Sequence, residues 1–384
     1  MHLKRTRNTL SIKFPVNRPL ITEADINEVS QTLQDGWVSG ESPVVSKFEN
    51  AFADYMGVQN AIAVSSGSSA LDVAFTSLNL SPGDEVILPS FTIISCLAPI
   101  LRLGLKPIFV DSSAEDWNLD VEKLTDLITE KTRAVLVVHT YGIGANVGRI
   151  SDICKERNLF LIEDCAEAQG ARVLGRLCGT FGDISIFSFY SNKLITTGEG
   201  GMCITNRPEL AERMRKIRNL GFESDLRFRH KMLGYNFRMS SMQASLGLSQ
   251  LSRVEHHLKI KKDIAKRYQA NLNLGGNFSF QISSTDFSDN TYWVAAILNL
   301  NHSITGTEMV SKLEQAGVGA RPFFYPLHRQ PLLKDYGVNY SVDAMPVANK
   351  LWEYGFYIPS GNGYTLNEID QISESVQEII NDYI

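Results

Sequence analysis

Ala61-Ile-Ala-Val64, followed by Ser65-Ser-Gly-Ser-Ser-Ala70 and a helical pattern over 71–78, reads as a strand, a glycine-serine turn and a helix. The strand is a continuous apolar run, as expected when both faces of a sheet are buried. Working outward, the same unit recurs. Pro82-Gly83-Asp84 leads into a strand over 85–88, and residues 91–103 are expected to be helical. A strand over 107–110 ends at Asp111. Residues 124–128 read as helix, 134–139 as an apolar strand and 150–157 as helix. The strand 160–162 runs straight into Glu163-Asp164, and further strands are expected over 184–189 and 201–205. Upstream, residues 17–34 form an entry segment and an amphipathic helix, with Thr22 as N-cap and Asp25 in its first turn. Residues 48–56 continue helical. Strands and helices alternating at this spacing predict an α/β chain with a mostly parallel sheet covered by helices.

Beyond Leu251 the pattern changes. Residues 253–272 make a long charged helix leading to a second unit. That unit holds a strand over 292–300, a helix over 307–315, a loop rich in proline and aromatics over 321–331 and a terminal helix over 366–380. The expected division is a large α/β domain, 15–252, and a smaller C-terminal α+β domain, 253–384.

The 384 residues carry a net charge of -5, which gives no basic field for nucleic acid or an anionic membrane. An anionic substrate must then be met by local arginines and helix ends. Lys4, Arg5 and Arg7 are not followed by an apolar stretch, so no signal peptide is expected. No apolar run is long enough to span a bilayer, and the expected location is cytoplasmic. The five cysteines are scattered without a C-x-x-C pair, and read as reduced and buried. No metal site is expected.

Four segments stand out for chemistry. Ser65–Ala70 places a glycine and open N–H groups at a helix start, which suits a phosphate; the plainer reading is a serine-capped turn. In Ile162-Glu-Asp-Cys-Ala-Glu167, Asp164 follows the carboxyl end of a strand, where open α/β sheets bind ligands. A carboxylate there pairs with a protonated ring nitrogen, or is simply solvated. Phe187-Ser-Phe-Tyr-Ser-Asn-Lys193, before Gly198-Glu-Gly-Gly201, puts a lysine on a short loop between buried strands. Desolvation there lowers its pKa and makes it a nucleophile, although most lysines are merely solvated. Gly234-Tyr-Asn-Phe-Arg-Met239 fits an interface or an ordinary aromatic turn. A dehydrogenase would need G-x-G-x-x-G after the first strand, and only Gly67 is present.

In this order the four segments resemble the DegT/DnrJ/EryC1/StrS family of sugar aminotransferases, fold-type I pyridoxal-phosphate (PLP) enzymes. The likeness runs from about Pro15 to the last helix. Within the family it is nearest to members that aminate a GDP-linked 4-keto-6-deoxy sugar, through residues 179–185, 188–202 and 321–328. The resemblance implies that Lys193 binds PLP covalently and that Asp164 pairs with its ring nitrogen. Glu167 lies near its 3-oxygen, and Gly67, Ser68 and Ser188 cradle its phosphate. Asn236 would reach the cofactor of a neighbouring subunit, implying a homodimer with shared sites. The implied reaction moves an amino group from L-glutamate to a nucleotide-linked keto-sugar by a ping-pong mechanism. The alternatives are another keto-sugar or keto-sugar acid, or a binding protein that kept the fold. Sugar dehydratases of this family carry histidine in place of Lys193. Arg229, Arg321 and His328 are candidate substrate contacts, whereas His139 reads as structural. Two positions depart from the family pattern: Ile93 (or Phe91, with a shifted alignment) where an aromatic ring often stacks on PLP, and Gln169 where a histidine is usual.

Overall fold

The computed structural model describes residues 12–223, 228–282 and 290–384; Lys4, Arg5 and Arg7 lie outside the described residues. In chain order the elements begin α1 (Glu23–Gln34), α2 (Pro43–Met56), β1 (Asn60–Val64), α3 (Gly67–Leu78), β2 (Glu85–Pro89), α4 (Ala98–Arg102), β3 (Lys106–Val110) and β4 (Thr132–Val138). Next come α5 (Val147–Glu156), β5 (Phe160–Asp164), the two-residue strands β6 (Arg172–Val173) and β7 (Arg176–Leu177), β8 (Ile184–Ser188), β9 (Gly201–Thr205), α6 (Pro208–Arg218) and α7 (Ser241–Leu251). The rest are α8 (Val254–Asn271), β10 (Phe278–Phe280), β11 (Ala296–Asn299), α9 (Gly306–Gln315), β12 (Arg321–Pro322), α10 (Pro346–Tyr354), β13 (Gly355–Tyr357) and α11 (Leu366–Ile380).

Seven strands form the main sheet, in the order β1-β9-β8-β5-β4-β2-β3. From β8 to β3 the strands run parallel, while β9 is antiparallel to both β1 and β8. Side chains alternate across a strand, and here both sets are buried. β4 sends Ala134, Leu136 and Val138 into one core and Val135 and Val137 into the other. The same alternation sends Glu163 and Asp164, the last two residues of β5, to opposite faces. Phe52, on α2, closes one face against Phe187 and Phe189, with ring centroids 5.0 and 5.6 Å away. Each such buried side chain contributes about 1.5–3 kcal/mol.

The smaller sheet is antiparallel, β10-β11-β13-β12. Its core is filled from α8 (Ile264, Tyr268), α9 (Met309, Leu313) and α11 (Ile369, Ile372, Val376). The first described residues join this unit, not the large sheet. Phe14 pairs with Val318, and Arg18 meets Glu368 at 2.7 Å.

The expected capping of α1 is present, with the Thr22 amide donating to Asp25 at 2.8 Å. Three expected elements differ. Residues 91–103 are not one helix; a 3-10 turn (Ile94–Cys96) precedes α4, because Pro99 suits a first helical turn and not an interior. Residues 124–128 supply only part of a short 3-10 stretch. The strand expected from Tyr292 begins at Ala296. The Asn290 side chain accepts the Tyr292 amide at 2.7 Å, which takes Tyr292 out of the ladder.

Candidate active site

The carboxyl ends of β4, β5 and β8 open into a cavity of about 360 Å³. Lys193 reaches it from the loop between β8 and β9. Gln169 holds that loop: its amide donates to the Ser188 carbonyl at 2.6 Å and accepts the Ile195 amide at 3.0 Å. Gln169 thus acts as a brace under the lysine loop, buried away from the cavity. The Lys193 amine donates to the Tyr292 hydroxyl at 3.1 Å and stands 3.7 Å from Glu167. Burial lowers the Lys193 pKa, against the pull of Glu167 and Asp164. A larger fraction of neutral, nucleophilic amine follows.

Two carboxylates face this amine. Asp164 accepts the Ala166 amide at 2.9 Å and the Cys96 thiol at 3.2 Å, and burial outweighs both donors to raise its pKa. Glu167 accepts the Tyr141 amide at 2.9 Å. Tyr141 turns that amide inward from a left-handed backbone conformation, φ 56°, a strain of about 1–3 kcal/mol in a non-glycine residue. Burial raises the Glu167 pKa, with Lys193 opposing. The Tyr292 phenol is pushed far up, first by burial and then by Glu167, so it stays protonated.

At the other end of the cavity α3 begins. Ser66 caps it, accepting the Ser69 amide at 3.0 Å. The amides of Gly67 and Ser68 have no partner among the described residues. Gly67 packs so closely on Ser188 that a Cβ would stand 2.8 Å from the Ser188 Cβ. The Ser68 hydroxyl shares a 2.8 Å hydrogen bond with Ser95. Open helix-start amides and hydroxyls make an anion cradle.

These residues fit PLP. The helix start suits a phosphate, and Lys193 suits its aldehyde. Asp164 is a buried carboxylate short of donors, and a protonated ring nitrogen is the cation it lacks. The structure therefore gathers Lys193, Asp164, Glu167, Gly67, Ser68 and Ser188 around one cavity. Ile93 also lines it, while Phe91 is fully buried against Tyr141, Phe323 and Phe324. Ile93 thus brings an aliphatic side chain to the cavity wall, and Phe91 does not reach it.

Other candidates lie elsewhere. Asn236 is exposed, pairs with Asn219 and stays outside the cavity, as does exposed Arg229. Arg321 lines an outer chamber of about 560 Å³ that shares Tyr190, Asn192, Trp293 and Tyr357 with the inner one. His328 is buried, with its Nδ1 on the Ser90 hydroxyl (2.7 Å) and its Nε2 on the Val342 carbonyl (3.1 Å), and does not line the cavity. His139 Nδ1 accepts the Ala145 amide at 3.0 Å, which leaves the ring proton on Nε2, facing Glu163 at 3.2 Å. His139, Glu163 and Cys165 bring ligand-type atoms within 4.8 Å of one another. However, both imidazole nitrogens and both carboxylate oxygens are already engaged.

Sequence reasoning missed Tyr292, Trp293, Tyr357 and Asn192 in the lining, and Cys96 beneath Asp164. The Asn-x-Tyr turn at 290–292 was the one available signal for Tyr292; nothing local marks Tyr357.

The sequence profile described as the DegT/DnrJ/EryC1/StrS aminotransferase family matches residues 19–377. The GDP-perosamine synthase of Escherichia coli O157:H7 is 38% identical over 369 residues, covering 96% of this chain and 99% of that protein. The GDP-perosamine synthase of Vibrio cholerae is 33% identical, with 96% and 99% covered. Among solved structures, the aminotransferase TlmJ from Streptoalloteichus hindustanus superposes with a TM-score of 0.88 at 28% identity, over 96% of this chain and 99% of that one. The chain belongs to the DegT/DnrJ/EryC1/StrS aminotransferase family and is a PLP-dependent sugar aminotransferase.

Proposed function

From that membership we propose that the enzyme transfers the amino group of L-glutamate to a GDP-linked 4-keto-6-deoxy sugar, in the cytoplasm, as a homodimer with shared sites. One observation carries this reading: the mostly buried amine of Lys193 stands 3.7 Å from Glu167 and feels the charge of Asp164, in a cavity that ends at an open helix start. The outer chamber, reached past Tyr190 and Asn192, gives a nucleotide room beyond the sugar. Relatives that share most of their length with this chain are named GDP-perosamine synthases, which supports the choice of sugar.

When bound, PLP supplies an electron sink for negative charge at the carbon that bears the transferred nitrogen. Lys193 would hold it through Nζ and, once displaced by the donor, take the proton from the donor's α-carbon. Positioned proton transfer of this kind contributes about 10²–10⁴-fold. The Tyr292 phenol, kept protonated by burial, fixes the orientation of that amine. Asp164 would hold the ring nitrogen's proton, and Glu167 would face the 3-oxygen. Gly67, Ser68 and Ser188 would bind the phosphate. Asn236 and Arg229, exposed on their own subunit, would serve the partner's cavity, and Arg321 would meet the nucleotide's phosphates at the mouth. Two half-reactions at one site give ping-pong kinetics.

The test is to incubate purified enzyme, PLP, L-glutamate and GDP-4-keto-6-deoxymannose, and follow the amino-sugar and 2-oxoglutarate by mass spectrometry. Both products in equal amounts from the wild type, and formation slowed by at least about 10²-fold in Lys193→Ala, are expected. 2-Oxoglutarate without amino-sugar would overturn the sugar assignment, and neither product from the wild type would overturn the donor as well.

A further inference from the structure

Helix α8 turns one face to the segment 359–362, and three of its buried residues grip it. The Asn362 amide meets the His257 ring at 3.0 Å, and the Tyr268 hydroxyl donates to the Pro359 carbonyl at 2.6 Å. Between them Lys261, 2% exposed, donates to the Ser360 carbonyl at 2.5 Å. Lys261 alone of the three also reaches the active site: its amine donates to the backbone carbonyl of Tyr292 at 2.9 Å. No carboxylate pairs with it among the described residues. A buried lysine without a counter-charge is unusual. A neutral amine has two N–H donors, which match these two carbonyls.

We propose that Lys261 is a positioning residue, which fixes the backbone of Tyr292 so that the Tyr292 phenol stays on the Lys193 amine. The inference rests on Lys193 being the cofactor lysine. The chain of contact is short. Lys261 holds the Tyr292 carbonyl, the Asn290 side chain holds the Tyr292 amide at 2.7 Å, and the phenol lies 3.1 Å from Lys193 Nζ. Tyr292 lies outside the strand ladder: the flanking amides of Thr291 and Trp293 donate to the Gly142 and Tyr141 carbonyls at 3.2 and 3.1 Å, while the Tyr292 amide and carbonyl themselves are tied by the side chains of Asn290 and Lys261. The Ser360 hydroxyl adds a 3.4 Å bond to the same carbonyl. The titratable groups around Lys261 are Lys193, Tyr292 and His257. Burial, with Lys193 adding repulsion, pushes its pKa down to about 7, in keeping with an amine that donates without a counter-ion.

A double-mutant cycle on the PLP-loaded enzyme tests this. Lys261→Met, Lys261→Gln, Tyr292→Phe and the Lys261→Met/Tyr292→Phe pair are compared by two readouts. One is the pH midpoint of the bound cofactor's visible band without substrate. The other is the rate and donor KM of the glutamate half-reaction in stopped flow. Lys261→Met and Tyr292→Phe are each expected to slow the half-reaction by roughly 10- to 100-fold, as a misplaced reacting group does, with donor KM nearly unchanged. Both should move the midpoint in the same direction, and the pair should equal either single variant. Lys261→Gln, which keeps a donor for one carbonyl, should fall between, and replaces Lys261→Met in the cycle if that variant does not fold. Additive losses, or a half-reaction and midpoint that Lys261→Met leaves unmoved, would show that Lys261 only props the fold. A wild type with no visible band, or one that glutamate does not bleach, would instead overturn the function above and this inference with it.

Discussion

Glu163 and Asp164 are neighbours in β5 and both are buried, yet the two faces of the sheet treat them oppositely. Glu163 accepts the amides of Gly179, Phe181 and Gly182 at 2.6–2.8 Å, and the Ser185 hydroxyl and His139 at 3.2 Å. Burial opposes its charge, but His139 and the loop amides prevail, and its pKa is lowered. Asp164 has one amide and one thiol, and burial prevails. A carboxylate with a full set of donors is part of the framework, here organising the 179–182 turn. One left short of donors on the cavity side has room for a cation from outside. The number of donors, and not burial or proximity in sequence, separates the two roles.

The sharpest extension of this contrast is the amine opposite Asp164. Lys193→Ala should cut turnover by about 10²–10⁴-fold or more and abolish the covalently bound cofactor's visible band. The melting temperature should hold or rise, because a buried amine is removed. A band that survives unchanged would place the cofactor's attachment elsewhere. The contrast itself is tested next. Asp164→Asn should lower kcat by roughly 10²–10³-fold with the fold intact. Glu163→Gln should do the reverse, keeping activity per folded molecule while losing about 2–4 kcal/mol of stability as loop amides lose a charged acceptor. Denaturant unfolding and active-site titration of each variant separate the cases. An Asp164→Asn enzyme with full kcat, or a Glu163→Gln protein as stable as wild type, would break the comparison.

The fold is legible in the sequence where one segment carries its own signal. Ser65–Ala70 announced a strand-turn-helix, and that unit starts α3 with Ser66 as cap. The alternation of apolar strands and helices gave the parallel sheet, though not β9, whose direction depends on how the chain returns after the Lys193 loop. The site residues within about thirty positions of β5 were legible because strand ends are local features. Tyr292, Tyr357 and Lys261 were not. Tyr292 and Tyr357 line the cavity from the second unit, Tyr292 meeting Lys193 across 99 residues of chain, and Lys261 acts only through the Tyr292 carbonyl; no periodicity records such contacts. His328 shows the converse: a histidine beside aromatics looked chemical, but Ser90 and Val342 engage both its nitrogens.

The end of the cavity where α3 begins sharpens the comparison with a smaller effect. Gly67→Ala adds a Cβ that would meet Ser188 at 2.8 Å, so β8 and α3 must part to admit it. PLP affinity should weaken by about tenfold, or ~1.4 kcal/mol, as measured by equilibrium dialysis of the wild type and variant. Stability without PLP should fall only slightly. Unchanged affinity would mean that the open amides of Gly67 and Ser68 do not hold the phosphate.

The smallest effect lies in the pH dependence of the cofactor-free protein, where the two carboxylates should pull in opposite directions. Glu163 has a lowered folded pKa. Its stabilising contribution is present above its unfolded value, about 4.3, and is lost as pH falls through the lower folded value. The deficit of Glu163→Gln relative to wild type should therefore shrink on acidification below that range. Asp164 has a raised folded pKa. Its contribution is present below its unfolded value, about 3.9, and is lost as pH rises through the higher folded one. Asp164→Asn should therefore gain on wild type as pH rises across that window, and loading with PLP should erase the gain by giving the carboxylate its cation. Urea unfolding of the three proteins between pH 3 and 8, with and without PLP, measures both slopes. Parallel slopes for the two variants would show that the donors counted on the two faces do not govern which carboxylate is held ready for the ring nitrogen.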